Sequence, residues 1–178
     1  LISKGEFKDD DQGDGRRFYT DGPNIHKYLK ELNALSFGND ADIITVGEMS
    51  STSMENCFQY AGADSHELSM VFSFHHLKVD FMGNEKWVLV PFDFKKLKDI
   101  LFDWQVNMAA HNAWNAVFWC NHDQPRVVSR FGDEGPYWKE SAKMLATVIH
   151  CLRGTPYIYQ GEELGMTNPG FTDISQYR

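Results

Sequence analysis

The stretch Asn121-His122-Asp123-Gln124-Pro125-Arg126 follows the apolar run Phe118-Trp119-Cys120, setting an amide, an imidazole, a carboxylate and a guanidinium side by side. A second carboxylate, Glu48, follows Ile43-Ile44-Thr45-Val46 and one glycine. Two carboxyl groups that face one pocket can break a glycosidic bond. One, protonated, gives its proton to the leaving oxygen, while the other, ionised, stabilises the positive charge that develops on the sugar ring. The acid of such a pair needs a pKa raised toward neutrality, which apolar neighbours and a nearby carboxylate favour. Asn121 and His122 would offer donors to sugar hydroxyls, and Phe118, Trp119 and Tyr159 would supply apolar walls. Taken singly, each group has a plainer reading: a Glu after a strand is commonly a helix cap or surface group, and His122 alone would be a hydrogen-bonded imidazole rather than a metal ligand. The clustering points to chemistry.

The elements that must deliver these groups can be read from the apolar pattern. Ala116 to Cys120 is too short, aromatic and β-branched for a helix, so a buried strand is expected, stopped by Pro125. The same pattern recurs where Ile43–Val46 runs into Gly47-Glu48-Met49-Ser50, where Leu68–Phe74 runs into His75-His76, and where Tyr157–Tyr159 runs into Gln160-Gly161-Glu162-Glu163. Between them lie helical patterns. Asp21-Gly22-Pro23 opens a helix with the stripe Ile25, Leu29, Leu32 and Leu35, ended by Gly38. Thr52-Ser53-Met54-Glu55 has capping-box spacing for a short helix through Tyr60, closed by Gly62. Asp93 caps a helix with Leu97, Ile100, Leu101, Trp104 and Met108 on one face, and Ser141, Leu145, Val148, Ile149 and Leu152 mark another, ended by Gly154.

Strands alternating with helices predict an α/β fold whose parallel sheet carries its chemistry at the carboxyl edge, and the closed form of that architecture is the (β/α)8 barrel. Four strands make half of one. Residues 1–178 therefore read as a partial barrel domain, about strands 5–8, with the N-terminal half and any following β domain outside the chain. A half barrel leaves sheet edges unpaired, so the other strands are expected in the parent protein or a partner, self-association of the half barrel included. The excursion Val79–Pro91 reads as a long loop turning at Gly83-Asn84, and Phe131–Gly135 as a turn-rich loop. From Gly165 onward the chain should be irregular.

A length of 178 residues suits one domain with a real core, and 42% apolar and 14% aromatic content is ordinary for a globular protein. A formal charge of −8 argues against nucleic acid or an anionic membrane as the main partner. No apolar run approaches the roughly 20 residues of a membrane span. Cys57, Cys120 and Cys151 show no disulfide or zinc spacing, so reduced thiols in a cytoplasmic protein are expected. Asp10-x-Gln12-x-Asp14-Gly15 faintly follows calcium-loop spacing, but Asp21 stands where a bidentate Glu is usual, and a plain acidic turn is expected. Neither metal nor cofactor is implied. Leu1-Ile2-Ser3 has no initiator Met and reads as the interior of a longer sequence.

Val46-Gly47-Glu48-Met49, Phe118–Arg126 and Tyr159-Gln160-Gly161-Glu162-Glu163-Leu164-Gly165-Met166-Thr167-Asn168 resemble the α-amylase family of glycoside hydrolases, in its α-glucosidase branch, and the likeness covers nearly the whole chain. The resemblance implies that Glu48, after the fifth barrel strand, is the general acid/base. It implies that Asp123, after the seventh, grips sugar hydroxyls and stabilises the transition state, with His122 bonding the same ring and Arg126 a further substrate-binding residue. The family's nucleophile, an Asp after the fourth strand, would precede Leu1, so these residues alone are expected to be inactive.

Within the branch, Gly15–Pro23 and Glu48–Ser53 are most similar to members that hydrolyse trehalose-6-phosphate, with oligo-1,6-glucosidases next. Lys78, with His75 or Lys86, would supply the cationic donors that a phosphorylated sugar needs. The expected partner is a small sugar, either a phosphorylated disaccharide or an α-glucoside. Some proteins with this barrel serve as transporter-associated scaffolds, but those typically lose the catalytic carboxylates, and Glu48 and Asp123 are present.

Overall fold

The computed structural model describes residues 20–82 and 85–176. The expected acidic turn at Asp10–Gly15, the motif residues up to Tyr19 and the turn at Gly83-Asn84 lie outside the described residues. Four strands, β1 (Val46–Met49), β2 (Met70–Ser73), β5 (Asn115–Phe118) and β6 (Thr155–Tyr157), form one sheet in that order. β1 pairs in parallel with β2, Val46 opposite Met70 and Glu48 opposite Phe72, and β2 in parallel with β5, Val71 opposite Asn115. Parallel neighbours need long crossovers. Helices α1 (Ile25–Leu32), α2 (Met54–Ala61), α3 (Phe94–Ala110), α4 (Val127–Phe131) and α5 (Trp138–Cys151) lie along the chain between and around the strands.

β1 starts three residues later than the apolar run suggests, and so holds Glu48 inside the strand rather than after it. At Thr45 and Ser69 side-chain hydroxyls bond backbone N–H groups beside one backbone bond, Met70 N–H donating to Thr45 O at 3.2 Å. Thr45 N–H donates to Ser69 Oγ at 3.1 Å and Ser69 N–H to Thr45 Oγ1 at 2.9 Å, and regular pairing begins at Val46. Ile43 and Ile44, outside the strand, are exposed. Gly47 has a steric reason, because a Cβ there would come within 2.7 Å of the Leu68 side chain. β6 is likewise displaced, beginning at Thr155 directly after Gly154, whose φ of 151° suits glycine.

The excursion after β2 is more ordered than expected. His75–Lys78 forms a 3₁₀ turn, and β3 (Phe81–Met82) pairs antiparallel with β4 (Glu85–Leu89) as a small hairpin. α1 departs from the expected stripe already at Leu32, and it passes into a π-helical turn at Asn33–Phe37 closed by Gly38 N–H donating to Asn33 O at 2.7 Å. The wider turn advances the helical phase. Ile25 and Leu29 pack against the core, whereas Leu32 and Leu35 face outward. In α2 the cap is Ser53, accepting from Asn56 N–H at 3.3 Å, one residue beyond the expected Thr52. The Asp93 cap on α3 accepts from Lys96 N–H at 3.0 Å as expected.

By its internal contacts the chain divides into two compact units, residues up to Ala116 with Arg153–Thr155, and Val117–Leu152 with Pro156 onward. The first has a core of Cys57, Tyr60, Ala61, Val71, Trp104, Met108 and Ala113. In the second, Trp119, Val128, Phe131, Leu145 and Ile149 are buried, with the Trp119 indole N–H donating to Leu145 O at 2.8 Å. Among the described residues, no helix is long and apolar enough to cross a membrane.

Met108 has no exposed surface, so its truncation should leave a cavity that rigid neighbours cannot fill. Met108→Ala is expected to cost about 3 kcal/mol of unfolding free energy, measured as a shift in urea midpoint, while the exposed Leu35→Ala should stay within about 0.5 kcal/mol.

Candidate active site

Glu48 is exposed on β1, on the same side as Val46, while Gly47 and Met49 alternate to the half-buried side. It lines a cavity of about 440 Å³ together with Asp21, Tyr28, Met49, Ser50 and Thr52. Asp21 is the residue that the sequence reading missed here. It was expected to open a helix, and stood at the last position of the faint calcium-loop spacing, yet its carboxylate accepts three side-chain bonds: Tyr60 hydroxyl at 2.8 Å, Asn56 Nδ2 at 2.8 Å and Thr52 hydroxyl at 3.3 Å. Its φ of 50° is a conformation that Asp and Asn tolerate better than most residues. Burial pushes the Tyr60 hydroxyl pKa up, and its bond to the Asp21 carboxylate pushes it the same way.

The 3₁₀ turn after β2 reaches the loop that follows Glu48. His75 Nε2 lies 2.8 Å from Thr52 O with its ring stacked on Trp104, and the Lys78 ammonium donates to Ser50 O. Lys78 and His75, two of the three expected phosphate-side residues, are thus placed against the β1–α2 loop, and the side chain of the third, Lys86, is not described. Deeper in this unit, His26 Nδ1 meets both oxygens of the buried Glu67, at 2.9 and 3.1 Å, with Lys30 Nζ at 3.8 Å. That grouping anchors α1.

In the second unit the polar stretch after β5 is a self-closed turn. Asn121 Oδ1 accepts from Asp123 N–H at 2.8 Å, an Asx turn that aims the following side chain outward. Asp123 and His122 are both exposed, with Nε2 to Oδ2 at 3.2 Å. Arg126 does more than sequence reasoning assigned to it. Its guanidinium donates to Gln160 O and lies 4.9 Å over the Tyr159 ring, while its N–H donates to Asn168 Oδ1 at 2.9 Å, so it clamps the loop after β6 to the loop after β5.

Below that clamp, Cys120 S–H donates to Glu162 Oε2 at 3.2 Å, and Tyr159 N–H meets the same oxygen at 3.3 Å. Burial, followed by the charge of Glu162, pushes the Cys120 thiol up to about 12. Burial also raises the Glu162 carboxyl against the lowering effect of these bonds. Cys57, buried near Asp21, is likewise pushed up to about 12. Among the described residues no group of three or more His, Cys, Asp or Glu is placed to hold a metal.

A parallel sheet with crossover helices and polar strand ends defines part of a (β/α)8 barrel. The match to known proteins narrows this: the family model described as alpha amylase, catalytic domain, covers residues 1–176, and the chain belongs to the α-amylase family. It is 64% identical over 179 residues to a trehalose-6-phosphate hydrolase of Bacillus subtilis (strain 168), a match spanning 100% of this chain and 32% of that protein. To an oligo-1,6-glucosidase of Bacillus cereus it is 51% identical over 164 residues, 92% of this chain and 29% of the other. The crystal structure of Bacillus licheniformis trehalose-6-phosphate hydrolase, mutant R201Q with PNG, superposes with a TM-score of 0.90 at 64% identity, covering 95% of this chain and 30% of that one. The chain thus spans about a third of the length of the relatives it matches.

The thiol environments give a direct test. Thiolate is the reactive form, and a thiol raised to about 12 is almost wholly protonated at pH 8. Of the three cysteines, only the exposed Cys151 should react promptly with an aromatic disulfide reagent under native conditions, with Cys57 and Cys120 following only in denaturant. Prompt labelling of Cys120 in the folded protein would contradict its placement. The neutral thiols favour the fold fully below about pH 9, and that contribution is lost as pH rises toward 12.

Proposed function

We propose that the protein carrying this chain hydrolyses α-glucosidic bonds with retention of configuration, and that its substrate is trehalose-6-phosphate, yielding glucose and glucose-6-phosphate. The observation that carries the substrate is the 64% identity, over the whole chain, to a protein named for that activity. In this reading Glu48 is the general acid/base: it protonates the oxygen of the leaving sugar and then takes a proton from the water that completes turnover. Asp123 stabilises the oxocarbenium-like transition state and grips ring hydroxyls, and His122 bonds the same sugar. The attacking carboxylate comes from another part of the protein, about 5–5.5 Å from the acid as a retaining mechanism requires. Arg126 keeps the Asp123 loop in place, as its bonds to Gln160 and Asn168 support.

Lys78 and His75 are the proposed phosphate-side residues. Their contacts with Ser50 O and Thr52 O hold them on the loop that follows Glu48, from which a cation could meet the distal phosphate. Hydrolysis of α-1,6-linked glucosides is the second reading, favoured by the 51% identity to an oligo-1,6-glucosidase.

Products formed by the full-length protein separate the two. Trehalose-6-phosphate should be cleaved to glucose and glucose-6-phosphate far faster than isomaltose is cleaved, and the reverse order would establish the second reading. Lys78→Ala should lower kcat/KM for trehalose-6-phosphate about 10-fold or more while trehalose hydrolysis changes by less than about 2-fold, since one charge-assisted bond is lost in only one substrate. Equal losses on both sugars would remove Lys78 from phosphate recognition.

A further inference from the structure

We propose that Asp21 is a positioning residue for Glu48, acting through Thr52 to fix the turn that leads away from the catalytic carboxyl. The proposal rests on the reading of Glu48 as acid/base. Asp21 and Glu48 line the same cavity, and the Asp21 carboxylate is held at both oxygens: Oδ1 accepts from Tyr60 and Thr52, Oδ2 from Asn56. Thr52 is 4% exposed and joined on three sides. Its hydroxyl donates to Asp21 and lies 3.7 Å from the Met49 sulfur, and its carbonyl faces His75 Nε2 at 2.8 Å. Met49 directly follows Glu48. One carboxylate therefore ties the carboxyl end of β1 to the start of α2, where Ser53 already provides the helix cap. The bonds to Asp21 accordingly serve the placement of the β1–α2 turn, and with it the backbone from which Glu48 projects.

A charged acceptor with three donors sets geometry more tightly than a neutral one, and a displacement of about 1 Å at a catalytic group can cost up to about 100-fold in rate. In the full-length protein, Asp21→Asn keeps the size, the tolerance of positive φ and one acceptor oxygen. On a substrate with a sugar leaving group it should lower kcat about 10-fold with KM within about 2-fold. In a Glu48→Gln background the same substitution should cost less than about 2-fold, because the group it positions is already disabled. Thr52→Val, which removes the linking hydroxyl at nearly constant volume, should show the same dependence on Glu48. Equal losses in both backgrounds, or no loss in the native one, would overturn the proposal. If Glu48→Gln by itself leaves kcat intact, the acid/base assignment fails, and that is seen before Asp21 is altered.

Discussion

Parallel pairing of β1 with β2 is the constraint on which the rest depends. Because Glu48 lies opposite Phe72 in a parallel register, the chain must leave both strands at the same edge and return by a helix each time. The loop after β1 and the turn after β2 therefore meet, and their contact is made of hydrogen bonds from His75 and Lys78 to backbone carbonyls of Thr52 and Ser50. The polar strand ends of this unit converge because topology leaves them nowhere else to go. The second unit repeats the logic after β5, where an Asx turn projects Asp123 and the Arg126 clamp joins the next loop.

Rigidity at these loops comes from acceptors that take more than one donor. Asp21 holds three side chains, Glu67 holds His26 and Lys30, and Glu162 holds Cys120 and the Tyr159 N–H. A carboxylate withdrawn from water, fully at Glu67 and in part at Asp21 and Glu162, is costly without such partners, so each one fixes its neighbours as it is satisfied. Two of them sit beside raised thiols, which leaves those cysteines as packing groups in the folded chain.

The fold class was legible because four apolar runs ended in polar residues with helical spacing between them. Strand ends were less so. Nothing in Ile43-Ile44-Thr45 announces that Thr45 and Ser69 will exchange hydroxyl bonds, or that pairing with β2 will run on through Glu48 to Met49. The hairpin of β3 and β4 was unread because pairing partners across a turn depend on register, and the π turn in α1 because one extra residue per turn leaves no compositional trace. Glu48, Asp123 and His122 were proposed from local clustering and family likeness. Asp21 could not be, since its importance lies in three residues more than thirty positions away. Arg126 was named for substrate contact, and its clamp on the loop after β6 is a tertiary fact.

The claim that Glu48 serves as the acid/base is tested most directly by chemical rescue. The full-length protein with Glu48→Ala, given a nitrophenyl α-glucoside and azide, should regain turnover and release α-glucosyl azide. The activated leaving group needs no acid, and azide then attacks the covalent intermediate without a base, giving net retention. Formation of β-glucosyl azide would make Glu48 the nucleophile instead, and native activity in the variant without azide would mean that it is no catalyst at all.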